Sequence, residues 1–320
     1  MKKISVIGLG NWGSNILRAL VGLKGVRVHR VCDTDKSALD KALATYPELV
    51  GTDDPHEAVS GADAVVVATP SPTHYQIGLM ALGAGAHAFV EKPMAMTLGQ
   101  AEEMVHLARS KGLVLMPGHI LLFHPGIQKL KSLVSRGDLG EIRYTHSQRT
   151  NLGVVRSNEN VVWSLAPHDI YISNHIMEAQ PVSARVFGRD FLQKGIEDVA
   201  FLTLEYPDRR FSHIHVSWLD PKKTRRLTVV GSAKMAVFDD MEEEEKLRIY
   251  DKGVDEPGQV PPGTFHIRYG DIYSPKIPKA EPLKAELRHF VACISGQESP
   301  VATGEDGLAV VKVLEQLTGL

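Results

Sequence analysis

Two short segments hold the residues whose types and spacing could do chemistry: Gly8-Leu9-Gly10-Asn11-Trp12-Gly13 and Glu91-Lys92-Pro93. In a G-x-G-x-x-G loop the first glycine permits a tight turn and the second lets the backbone approach a pyrophosphate. The third allows close packing of the following helix. Asn11 and Trp12 would open that helix, whose free N–H groups attract an anion. Glycines at this spacing also serve as plain turn residues. Asp33, roughly 20 residues past Gly13 at the end of the next strand-like run, favours the binding reading. Its carboxylate would accept hydrogen bonds from an adenosine ribose diol and repel a 2′-phosphate. That selects NAD, with NADP less favoured, and Lys36 is the neighbour that softens the choice.

Lys92 ends a strand-like run, and Pro93 biases it away from helix. An isolated lysine is usually a solvated surface charge. At the mouth of a cofactor crevice, its ammonium would hydrogen-bond a substrate hydroxyl and stabilise alkoxide character. Thr69-Pro70-Ser71-Pro72-Thr73-His74 follows another such run. This stretch is a proline-stiffened turn with Ser71 as N-cap and Pro72 at N1. From it Thr69, Pro70, Ser71 and His74 would reach the cofactor, as would Glu91 beside Lys92.

The elements that must position these residues alternate β and α to about residue 118. Ala64-Val65-Val66-Val67-Ala68 is apolar throughout, as a parallel strand covered on both faces requires. Short βα connections predict a doubly wound parallel sheet for residues 1–118. Beyond a helix near Pro125–Val134, strand-like segments follow one another mostly without helices. They run from Ile142 to Tyr250 and predict a large open mixed or antiparallel sheet in an α/β domain over 119–320. The Pro-rich stretch Pro257–Pro282 reads as ordered loop with short strands, and helices close the chain.

Composition narrows the function. The chain has 320 residues, 43% hydrophobic and 23% charged, which is ordinary for two globular cores. A net charge of -2 argues against nucleic acid as a partner. No apolar stretch approaches a membrane span, and no secretory leader is evident. Cys32 and Cys293 both lie in apolar segments and read as buried free thiols, which suits a cytoplasmic protein. His213 and His215 alternate on one strand face without an acidic or cysteine partner, so no metal site is expected.

With these motifs in hand, the chain resembles the glucose–fructose oxidoreductase, inositol dehydrogenase and rhizopine-catabolism (Gfo/Idh/MocA) family. Gly8-x-Gly10-x-x-Gly13, the Thr69–His74 loop and Glu91-Lys92-Pro93 carry the likeness, and Val216-Ser217-Trp218, Lys222–Arg226 and Pro300–Gly307 extend it. The resemblance implies an N-terminal Rossmann domain and a C-terminal domain whose sheet forms homodimers or homotetramers. It also implies a lysine, an aspartate and a histidine around a reacting hydroxyl of a sugar or polyol. The lysine maps onto Lys92 and the histidine onto His168. With Pro167 as N1, His168 would sit in a helix's first turn and face the sheet, its near-neutral pKa suited to taking the hydroxyl proton.

The usual aspartate position is Ser164, which can hydrogen-bond a sugar but supplies no carboxylate. His119, Arg149 and Asn151, near the domain junction, are substrate-binding candidates, with structural roles equally open. The Trp163–Asp169 segment is similar to that of sugar-nucleotide oxidoreductases. The resemblance therefore favours hydride exchange between nicotinamide and a nucleotide-sugar over an inositol or free sugar. A dinucleotide-binding regulator of the same fold is the reading from another class.

Overall fold

The computed structural model describes residues 1–157, 159–254 and 264–319. It comprises two compact units, Met1–Phe123 with Glu281–Glu315, and His124–Ala280 with Gln316–Leu320.

The first unit runs β1 (Lys2–Ile7), α1 (Asn11–Val21), β2 (Val26–Cys32), α2 (Lys36–Thr45), β3 (Gly51–Thr52) and α3 (Pro55–Val59). It continues with β4 (Ala64–Val67), α4 (His74–Gly83), β5 (His87–Glu91), α5 (Leu98–Ser110) and β6 (Leu115–Gly118). The six strands are parallel in the order β3-β2-β1-β4-β5-β6. Every residue of β4 is fully buried, as its unbroken apolar run requires. The strand order reverses between β1 and β4, which is where such a sheet leaves a crevice for a ligand. Ser71 and Pro72 do not start α4. Ser71–Thr73 forms a separate 3-10 turn, and α4 begins at His74 without a side-chain cap.

The sequence reading carries the second domain to residue 320, whereas α8 (Pro282–Ile294) packs within the first unit. Its buried stripe of Leu283, Leu287, Phe290 and Ile294 needs an apolar partner, and Phe290 meets Phe89 of β5 edge-on at 5.6 Å.

The second unit contains α6 (Pro125–Ser135), β7 (Ile142–Leu152), α7 (Val161–Met177), β8 (Ser183–Arg189), β9 (Val199–Glu205) and β10 (Phe211–Ser217). Strands β11 (Leu219–Gly231), β12 (Met235–Asp239), β13 (Leu247–Val254) and β14 (Ile267–Tyr273) complete the sheet. Its order is β14-β13-β12-β11-β7-β10-β9-β8, with β10 parallel to β7 and the other pairs antiparallel. Part of the Pro-rich stretch, residues 255–263, lies outside the described residues.

The helix carrying His168 starts earlier than the sequence reading places it. Asn160 is its N-cap, accepting from the N–H of Trp163 at 3.0 Å, and Pro167 lies inside the helix. His168 is thus well past the first turn. The run from Val161 is helical, with the Asn160 cap directly before it. Both cysteines are free and buried. Among the described residues no helix is long and apolar enough to cross a membrane. Asn160→Ala should destabilise the protein by about 1 kcal/mol, the usual worth of such a cap, read as a lower urea midpoint at unchanged slope.

Candidate active site

The glycine loop is built by backbone contact. Gly8 has φ +94°, and a Cβ there would lie 2.6 Å from the backbone of Ala68 and Thr69. A Cβ on Gly13 would stand 1.9 Å from the carbonyl oxygen of Gly8. Neither position admits a side chain, because loop, α1 and the end of β4 touch there. Gly10, the N-cap of α1, is different: a Cβ would meet nothing within 4 Å. That open space lies before the free N–H groups of the first helical turn, which Asn11, Trp12 and Gly13 supply. These residues fit a pyrophosphate. Just past β2, Asp33 accepts from the N–H of Leu9 at 2.6 Å and from that of Asp35 at 2.8 Å. The carboxylate thus braces the loop and still has lone pairs for a ribose diol.

Along the same sheet edge, His74 is buried with one ring nitrogen 2.7 Å from the carbonyl of Thr69 and the other 2.8 Å from that of Pro93. It staples the Thr69–Ser71 turn to the segment holding Lys92, and so supports the edge from beneath. The Lys92–Pro93 peptide is cis.

Glu91, at the end of β5, is the hub of this edge. The Trp12 indole N–H donates to its Oε1 at 2.6 Å and the Lys92 backbone N–H to its Oε2 at 3.3 Å. Its carboxyl lies so close to β6 that a Cβ on Gly118 would be 2.9 Å from it. Burial pushes Glu91 up to about 7, against the pull of the Trp12 bond and the Lys92 charge. His119, just past β6, is also buried. Burial first, and the Lys92 charge second, push its imidazole down to about 3. The structure therefore brings Glu91, Lys92 and a neutral His119 together.

In the second unit, α7 makes polar contacts with the sheet in addition to its buried apolar residues. Arg149 of β7 and Asp169 of α7 form a buried, two-pronged pair, with Nε donating to Oδ2 at 2.5 Å and Nη2 to Oδ1 at 3.5 Å. One turn on, Ser173 shares a hydrogen bond with Ser212 of β10 at 2.8 Å. Asp169 and Ser173 thus face the sheet. His168 lies about 100° around the helix from Asp169. His168 is half-buried, and Ser164, one turn before it on the same side of α7, is buried.

Arg149 is committed to Asp169, so it acts first as a bracket for the helix. Asn151, two residues along β7 on the same strand face, is half-buried. Arg225 of β11 is paired in register with Arg149. Burial and the Arg149 charge lower its guanidinium, and it forms no ion pair among the described residues.

Sequence reasoning missed Gly118, Asp169 as the partner of Arg149, and Glu286 of α8, while Arg225 lies within the Lys222–Arg226 cluster that it singled out. Glu286 left a signal: an acid inside the apolar stripe Leu283, Leu287, Phe290. The others left none, because each acquires its meaning from a neighbour remote in sequence.

Comparison with known proteins agrees with this architecture. Residues 2–119 match the GFO_IDH_MocA oxidoreductase family, NAD-binding Rossmann fold, and residues 127–237 the GFO/IDH/MocA C-terminal domain. The UDP-N-acetylglucosamine 3-dehydrogenase of Acidithiobacillus ferrooxidans is 27% identical over 98% of this chain and 96% of its own. Its crystal structure superposes with a TM-score of 0.84, covering 99% of this chain and 96% of that one at 23% identity. The myo-inositol 2-dehydrogenase of Thermotoga maritima is 25% identical over 95% of this chain and 92% of its own. An uncharacterized oxidoreductase of Streptococcus pneumoniae is 25% identical over 66% of this chain, and the match spans only 61% of that relative's length.

Removing one member of the buried pair should be costly. Arg149→Met strands the Asp169 carboxylate and should lose about 3 to 5 kcal/mol of unfolding free energy, while Arg149→Met with Asp169→Leu should regain most of it. Glu91 predicts a pH effect of definite sign. Its folded value of about 7 lies above the ordinary 4.5, so the folded state holds the extra proton between those limits. Its contribution to stability is present below about pH 4.5 and is lost as pH rises towards 7. Glu91→Gln should flatten that fall, read from denaturation midpoints across the window.

Proposed function

Since this chain belongs to the Gfo/Idh/MocA oxidoreductase family, we propose that it exchanges hydride between NAD(H) and a secondary hydroxyl of a sugar, in particular a nucleotide-sugar. The N-terminal unit is an NAD-binding Rossmann domain, and bound NAD supplies the hydride acceptor. The observation that carries the reading is Lys92 just past the carboxyl end of β5, its charge felt by both Glu91 and the neutral His119, on the edge where the glycine loop opens.

In this reading the Lys92 ammonium hydrogen-bonds the substrate oxygen and stabilises the charge that develops as the hydroxyl proton leaves. His168 takes that proton, and Ser164, one turn before it, hydrogen-bonds the sugar. Position 164 supplies a hydroxyl to this site where a carboxylate would otherwise stand. His119 and Asn151 complete the set of substrate contacts. A neutral His119 places no second positive charge beside Lys92.

The nucleotide-sugar is favoured by Arg225, whose cation sits beside an arginine already neutralised by Asp169 and so remains available to an anion. The near full-length likeness to a UDP-N-acetylglucosamine 3-dehydrogenase supports the same choice. An inositol or free sugar is the second reading, favoured by the likeness to a myo-inositol dehydrogenase and by Ser164.

The sheet face away from α7 bears exposed Phe187, Phe201 and Phe211, with Phe201 stacked 4.3 Å from the His215 ring. Exposed aromatic area of that kind supports self-association through this face.

NAD reduction followed across UDP-sugars, hexoses and inositols tests the assignment. Lys92→Ala and His168→Asn should each lower kcat by about 100-fold or more with NADH binding retained. Full turnover in both would refute the roles, and tight NADH binding without oxidation of any sugar would favour the regulator. Arg225→Gln should raise KM for a UDP-sugar and leave that for a free sugar unchanged. Asp33→Ser should erode the preference for NAD over NADP, measured as the ratio of kcat/KM values.

A further inference from the structure

Glu286 is fully buried in an otherwise apolar stripe, and nothing in the proposed chemistry uses it. Its position follows from two periodicities. Residues 89 and 91 of β5 point to one side of the strand, and residues 286 and 290 of α8 lie one turn apart on one helix face. Phe89 packs on Phe290 at 5.6 Å, so the next rung sets Glu91 against Glu286. The two carboxyls feel each other electrostatically, as that register demands. Among the described residues, neither Glu286 oxygen meets a donor at hydrogen-bonding geometry, and the backbone N–H of His119 eases its charge.

Two buried carboxylates that feel each other's charge resist ionising together, which favours a pair that holds one proton. The surroundings decide which group keeps it. Glu91 has the Trp12 indole at 2.6 Å, the Lys92 amide at 3.3 Å and the Lys92 charge. Glu286 is eased among the described residues by the His119 amide, and burial and the Glu91 charge hold it well above the usual carboxylate range. Glu91 is therefore the anion and Glu286 the acid. Of the other titratable groups nearby, His119 is neutral, and His289 is engaged with Glu298 at 2.5 Å. Lys284 is half-buried and Arg288 exposed.

We propose that Glu286 is a positioning residue for Lys92: its carboxylic acid donates a hydrogen bond to Glu91, keeping that carboxylate charged so that the neighbouring amine is held as an ammonium. No bond is made or broken; one proton stays between two oxygens. Glu286 thus acts through Glu91 and touches neither cofactor nor substrate. The consequence for turnover rests on the reading of Lys92 above, but the protonation of the pair does not.

The test uses the full chain and two spectroscopic readouts. Trp12 reports the state of Glu91, through the part of the fluorescence that Trp12→Phe removes. Its pH midpoint in the wild type should fall near 7. Glu286→Leu, which loses the donor, should raise that midpoint by about one unit, a tenfold change in the proton equilibrium. Glu286→Gln, whose amide still donates, should restore it. Infrared spectra at pH 8 should contain a protonated carboxyl band that Glu286→Gln abolishes, a result independent of whether the leucine variant folds. A lower midpoint in Glu286→Leu would mean that Glu286 is charged, an unmoved midpoint that the two are uncoupled, and a missing band that no acid is present; each overturns the proposal. In NAD reduction with UDP-N-acetylglucosamine, the acidic limb of the kcat profile should move up in Glu286→Leu and return in Glu286→Gln. Fluorescence and infrared results as expected, with no NAD reduction in the wild type, would fault the enzymatic reading and leave the proton-sharing pair standing.

Discussion

The buried carboxyl of Glu91 is the constraint on which the cofactor edge depends. One oxygen takes the Trp12 indole from the glycine loop and the other the Lys92 amide, and the group rests against Gly118 of the neighbouring strand. Three segments far apart in sequence are thereby held to one atom group. A buried carboxyl is expensive unless hydrogen-bonded, and it persists here because its bonds are the fastening. The same fastening sets the electrical surroundings of Lys92, whose charge is felt by the Glu91 carboxyl and by an uncharged imidazole.

The second unit uses a related device. Helix α7 buries apolar residues such as Ile170 and Ile176, and a buried Arg149–Asp169 pair and a serine–serine contact add direction to that packing. Such contacts are directional, so they set the rotation of the helix as well as its adhesion. With Asp169 and Ser173 turned to the sheet, Ser164 and His168 share a different face, one turn apart. An apolar helix could roll by tens of degrees at modest cost. A helix tied by a two-pronged ion pair cannot, and a base meant to meet one hydroxyl needs that restraint.

Much of the fold was legible from local pattern. The glycine spacing, the unbroken apolar run of β4 and the βα alternation lead directly to the parallel sheet, because each reports a local requirement of backbone or burial. The strands of the second unit were legible too, but not that β7 lies between β11 and β10 and runs parallel to β10. Helix α7 was read too short, because Pro167 suggests a helix start more loudly than Asn160 does. The closing helix α8 was assigned to the wrong body, since an amphipathic stripe declares that it needs a partner and never which one.

What the residues alone determined is therefore what depends on neighbours in the chain: the loop that admits no side chain at Gly8 and Gly13, the carboxylate after β2, the lysine at the end of β5, and membership of the Gfo/Idh/MocA family. What only the folded molecule decided is pairing. The commitment of Arg149 to Asp169, the enclosure of His119 and the register of Glu91 with Glu286 exist only once distant segments meet. The physical reason is that burial and charge proximity, which set protonation and orientation, are properties of the space between side chains. A single residue's type fixes what it can donate or accept, and the surrounding structure fixes whether it must.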